Sequence, residues 1–141
     1  MKIKIAAVVI GISLAFVACT PALTPEEATY LDRINKAPLT FTLPKDEADK
    51  AWGRIQAWVA LYSPAKIRVA SDFIIQTESL RVDLKYAYIV TRAPKGEVMD
   101  FTIKCDINSF VYGPADKQYR NARILAHYAM TAELMPKFIS Q

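Results

Sequence analysis

From Met99 to Ile107 an apolar residue falls at every second position. Met99, Phe101, Ile103, Cys105 and Ile107 alternate with Asp100, Thr102, Lys104 and Asp106. A period of two puts each set on its own face of a β-strand, so a strand is expected over 98–107. Residues 84–91 are expected to form another, with Tyr86, Tyr88 and Val90 on one face. Between the two runs, Ala93-Pro94-Lys95-Gly96 has proline and glycine where a tight turn uses them. The pair therefore predicts an antiparallel hairpin. Leu39-Thr40-Phe41-Thr42-Leu43 alternates in the same way. Ile67-Arg68-Val69 is expected to lead, through a bend at Ser71-Asp72, into Phe73-Ile74-Ile75-Gln76-Thr77 as one further strand.

Elsewhere the period lengthens to that of a helix. Ala48, Ala51, Trp52, Ile55, Val59 and Tyr62 recur at steps of three and four, with Trp58 beside them and Lys50, Arg54 and Gln56 on the other side. Pro44-Lys45-Asp46-Glu47 opens this helix with acids in its first turn, where they suit the helix dipole, and Ser63-Pro64 stops it. A last helix is expected over 115–134, after Gly113-Pro114 and before Pro136. Tyr119, Ala122, Leu125 or Ala126, and Ala129 would face the sheet. Near the start, Thr24-Pro25-Glu26-Glu27 combines a capping threonine, a proline at the first helical position and a glutamate that completes a capping box. That helix is expected to end before Pro38, whose ring pushes Ala37 out of helical geometry.

The order is a short N-terminal helix, then β-α-β-β-β-α. Two one-sided apolar helices need an apolar surface, and the sheet offers one face. The expected fold is α+β: a two-layer sandwich with a mainly antiparallel sheet of about four strands covered by two helices. One domain is expected over 25–141, the short helix included.

Residues 1–18 do not belong to that domain. Lys2 and Lys4 precede an apolar run over residues 5–17, broken by Gly11 and Ser13, and Ala18 stands before Cys19. A basic start, a short apolar stretch and a small residue at the cut describe a cleaved export signal. A permanent membrane span needs about 20 apolar residues, and this run ends sooner, at Thr20-Pro21.

Phe16-Val17-Ala18-Cys19 resembles the lipobox of bacterial lipoproteins, with Phe16 where the family has leucine. The resemblance implies acylation of Cys19, with residues 19–24 left as a tether. Because Thr20 replaces the aspartate that retains family members at the inner membrane, it also implies an outer-membrane address. From Phe41 to about Cys105, the run of strand, Trp-bearing helix and further strands resembles small envelope domains with a TATA-binding-protein-like fold. Those domains occur in uncharacterised bacterial lipoproteins, and this resemblance brings no catalytic residue.

The cut changes the charge. The full chain has 18 basic and 14 acidic residues, a net charge of +4. Loss of Lys2 and Lys4 leaves +2, which gives little reason to expect nucleic acid as a partner. With Cys19 carrying lipid, Cys105 has no disulfide partner and, in phase with apolar neighbours, reads as a small buried hydrophobe.

Catalytic and metal-binding patterns are sparse. His127 is the one histidine, and Glu133, six residues on, would lie on the opposite side of a continuing helix. No metal spacing, nucleophile elbow or phosphate loop is present, so no metal and no cofactor are expected. Asp46, Glu47 and Asp49 read as first-turn acids. Lys117, Arg120 and Arg123 recur every three residues as a possible contact for an anionic surface, with a plain solvated helix face as the alternative. The functional expectation is a non-catalytic, lipid-anchored envelope protein. It would meet the membrane through the lipid on Cys19 and either bind an envelope protein partner or serve as a structural module. The alternative is a small-ligand or lipid-binding module with a cleft between sheet and helices.

Overall fold

The computed structural model describes residues 22–80, 84, 86–107 and 119–139. Residues 1–18, Cys19 and Lys117 lie outside the described residues. The elements are α1 (Pro25–Lys36), β1 (Thr40–Pro44), α2 (Lys45–Tyr62), β2 (Ile67–Ala70), β3 (Ile74–Thr77), β4 (Tyr86–Lys95), β5 (Val98–Ile107) and α3 (Arg120–Thr131), followed by a 3₁₀ turn at Pro136–Phe138. The strands form one antiparallel sheet in the order β1-β5-β4-β3-β2. The fold is a two-layer α+β sandwich, as the periodicity indicates.

The sheet has five strands, where about four are expected. Residues 67–77 do not make one bent strand but fold back as β2 and β3. The reason is local. The Ser71 hydroxyl accepts hydrogen bonds from the N–H groups of Phe73 and Ile74, and the Ser71 N–H donates to the Ile74 carbonyl. A serine that captures the next two or three amides closes a turn rather than a bend.

The long hairpin also turns later than expected. β4 runs on to Lys95, which pairs with Val98, so Gly96 and Glu97 make a two-residue turn. Gly96 has φ +61°, a conformation that a side chain resists, and at the first turn position it suits a type II′ hairpin. Pro94 therefore sits within β4. The Arg92 N–H points to β3, where it meets the Phe73 carbonyl. Pro94, two residues on, would point its missing N–H the same way, but β3 has already ended.

Between the layers, α2 buries Ala48, Ala51, Trp52, Ile55, Trp58 and Val59. Phe41 and Phe101 stack at 5.1 Å across β1 and β5, and Trp52 lies against Phe101 at 6.3 Å. Trp58 meets Tyr88 edge-on at 5.6 Å. Burial of each such ring contributes about 1.5–3 kcal/mol. On the far face of the sheet, Thr40, Thr42 and Lys104 are exposed.

α3 packs against both α1 and α2. It buries Asn121, Ala122, Ile124, Leu125, Ala126, His127 and Ala129, more than one stripe, because it has neighbours on more than one side. Tyr119, expected to face the sheet, is exposed, and Ile124 is buried instead. Arg54, expected on the outer side of α2, turns to α3, where its Nε donates to the Ala129 carbonyl at 3.0 Å. The helix stops at Thr131, earlier than expected, because Ala132 takes a left-handed conformation at φ 63°.

Candidate functional site

The one histidine sits in a polar clasp that sequence spacing does not show. Ala132 reverses the chain, and Glu133 returns along the helix it has just left. Its Oε2 lies 2.8 Å from His127 Nε2, while Arg33 on α1 holds Oε1. The expectation that Glu133 lies across the helix from His127 fails because the helix ends between them. Tyr30 on α1 packs edge-on against His127 at 5.7 Å, and its hydroxyl accepts from the Met135 N–H at 3.3 Å. Burial raises the Tyr30 pKa, partly offset by that hydrogen bond. Lys137 pairs with Glu27, the residue that also closes the capping box of α1.

These contacts bind the C-terminal segment, α3 and α1 into one unit. His127 is 6% exposed and spends its Nε2 on Glu133. Thr131, the hydroxyl near it, donates to the His127 carbonyl and accepts from the Glu133 N–H. The arrangement joins elements, and its polar groups bond to one another.

Two of the three acids at the start of α2 are likewise engaged. Glu47 pairs with Lys50 at 2.9 Å, and Asp49 with Arg92 at 2.7 Å. The Arg92 guanidinium lies 4.9 Å from the centre of the Trp52 ring and donates to the Asp72 carbonyl. Arg92 thus ties the β2–β3 turn to α2, and the Trp52 Nε1 hydrogen bond to the Ser71 carbonyl, 3.3 Å, does the same. Among the described residues no group of three or more His, Cys, Asp or Glu could hold a metal ion.

Cys105 is buried on β5, and desolvation pushes its thiol pKa to about 12. A thiol held that firmly in its neutral form is a poor nucleophile. Tyr88 pairs with Cys105 across the hairpin, and Asn121 lies near its hydroxyl. The Trp58 Nε1 is buried with no hydrogen-bond partner, and the Tyr88 hydroxyl has only the Asn121 and Cys105 side chains beside it, without a bond of ordinary geometry. Burial drives the Tyr88 pKa well above its ordinary value.

Of the basic stripe expected to meet an anionic surface, the described members are Arg120 and Arg123. Both are half-buried, and Arg123 donates to the Asn35 carbonyl at the end of α1. That contact satisfies a helix-terminal carbonyl and joins α3 to α1.

The described surface is most apolar at the β2 edge and the end of α2. Ile67 is 38% exposed, Val69 37%, Phe73 56% and Leu61 72%. An open dent of about 250 Å³ is lined by Leu61, Tyr62, Ser63 and Pro64 at the C-terminal end of α2. Periodicity marks Ile67 and Val69 as strand residues. It cannot mark their strand as an edge, since that depends on which strand pairs beside it.

No protein-family model, no curated protein and no solved structure matches the chain.

Proposed function

We propose that this chain is a lipid-anchored protein of the bacterial envelope whose folded domain docks a protein partner and carries out no chemistry of its own. The observation that carries the reading is Cys19, placed directly after a basic start, a short apolar run and Ala18. Acyl chains at ~0.8 kcal/mol per buried methylene hold such a protein on a bilayer, and one cysteine can carry more than one chain. No helix among the described residues is long and apolar enough to cross a membrane.

The tether supports the reading. Thr24, the N-cap of α1, is five residues on from Cys19, a reach of at most about 17 Å. The anchor thus pulls on α1, and α1 is the helix that Arg123, Glu133 and Lys137 fasten to the rest of the domain. A tethered domain needs its first helix held. The docking role draws support from the apolar residues exposed around β2, and the outer-membrane address from Thr20 after the cysteine.

The test is metabolic labelling with clickable palmitate of the wild-type chain and Cys19→Ala. Label on the wild type alone, with the variant released from membranes, is the expected result. Equal labelling of both would remove the anchor from the reading.

A further inference from the structure

The two edges of the sheet are not equivalent. β1 ends in Pro44, whose ring removes a ladder donor, and the Lys45 N–H that follows is taken by the Glu97 carbonyl. Its other exposed residues, Thr40 and Thr42, are polar. β2 has no proline, and all four of its residues are exposed, although a bulge at Arg68 shifts its register with β3 between Ile67 and Val69. It pairs with β3 on one side and is the last strand in the sheet on the other. Ile67 and Val69 lie along it, and Phe73 projects from the turn at its end. An open edge offers unpaired backbone N–H and C=O groups, which natural proteins usually blunt or fill.

Charge selects the occupant. Lys66 and Arg68 are exposed, and neither forms an ion pair among the described residues, although Lys66 lies beside Glu78, whose N–H donates to the Lys66 carbonyl. Pairing of β2 with a second copy would bring Arg68 of each chain close together on a short strand, and facing like charges destabilise a sheet. A bilayer would suit the apolar and basic side chains but leave the backbone ladder unpaired. An extended peptide with acids satisfies all three features together.

We infer that the β2 edge receives an extended segment of a partner protein in which apolar and acidic residues alternate, so that the segment adds a sixth strand beside Ile67–Ala70. The inference deepens the docking role proposed above and does not depend on acylation. Main-chain hydrogen bonds supply the pairing, Ile67, Val69 and Phe73 the apolar contact, and Lys66 and Arg68 the choice of sequence.

The test uses the full chain in detergent and fluorescent octapeptides. One alternates Val and Glu, a second alternates Val and Lys, and a third is the Val/Glu peptide methylated at its backbone amides. The Val/Glu peptide should bind saturably and at least about fivefold tighter than the Val/Lys peptide, as two exposed ion pairs allow. Methylation should abolish binding, and Arg68→Glu, which leaves Lys66 as the one cation of the pair, should erase the preference between the two charged peptides. That residue is exposed, so the variant should unfold at nearly the wild-type temperature. Several results would overturn the inference: no peptide binding, binding indifferent to methylation, or binding indifferent to Arg68→Glu. Sedimentation showing a dimer that Arg68→Glu disperses would assign the edge to a second copy. Binding to phosphatidylcholine–phosphatidylglycerol vesicles without peptide binding would assign it to the membrane. Cys19→Ala should bind the peptides as the wild type does, so loss of palmitate label and loss of peptide binding are separate failures.

Discussion

The Glu133 carboxylate lies 2.8 Å from His127 Nε2 although Glu133 is six positions on in the chain, a spacing that opposes them on a continuous helix. Ala132 makes the contact possible by turning the chain at φ 63°. The same carboxylate accepts from Arg33, so one left-handed residue lets a single acid join the last helix to the first.

Ala132 holds that conformation against its own Cβ, at a cost of roughly 1 kcal/mol that glycine avoids. Ala132→Gly should therefore stabilise the domain by about 0.5–1 kcal/mol, offset in part by the greater freedom of glycine in the unfolded chain. Thermal unfolding measures it, and a lower midpoint would contradict the account.

The two bonds to Glu133 should differ in strength. His127 is nearly buried, while Arg33 is about half-exposed. Glu133→Ala leaves a buried ring nitrogen unpaired, and should cost about 1–3 kcal/mol. In double-mutant cycles by urea unfolding, the His127–Glu133 coupling should exceed that of Arg33–Glu133, which should stay under about 1 kcal/mol.

Cys105 sets a pH limit. Its thiol pKa rises from 9.0 to about 12 on folding because burial disfavours the thiolate. The folded chain then keeps a proton that the unfolded chain releases. This contribution is fully present below about pH 9 and is lost as pH climbs toward 12, by up to ~1.4 kcal/mol per pH unit. Tyr30 and Tyr88, both raised from 10.0 mainly by burial, steepen the loss above pH 10. Urea melts of Cys105→Val should show the decline beginning nearer pH 10 than 9. Ellman's reagent should leave Cys105 untouched in the folded wild type and react in concentrated urea.

The Tyr88 hydroxyl is buried beside the Asn121 and Cys105 side chains and makes no hydrogen bond of ordinary geometry. Tyr88→Phe keeps the ring packed on Trp58 and should be neutral or stabilising by up to about 1 kcal/mol in urea unfolding. A loss greater than 1 kcal/mol would show that water or a side chain pairs with the hydroxyl.

Local chemistry was legible wherever it acts within a few residues. The capping box of α1 reads directly from Thr24 and Glu27, and the end of that helix from Pro38. The apolar stripe of α2 and the inward set of β5 follow from periods near four and of two. The β2–β3 turn carried a readable signal too, in the serine at 71, but a short turn and a bend look alike when the partner strand is unknown. The clasp at His127 had no such signal, since alanine rarely ends a helix in the left-handed region.

By itself, the sequence determined the α+β class and the core faces of α2 and β5. All of these depend on side-chain period or on neighbouring residues. The tertiary structure decided which strand stands at an open edge, which acid reaches His127, and that Arg123 closes the end of α1. Those outcomes depend on residues brought together from distant parts of the chain, 88 apart for Arg123 and Asn35, and hydrophobic pattern carries no information about that pairing.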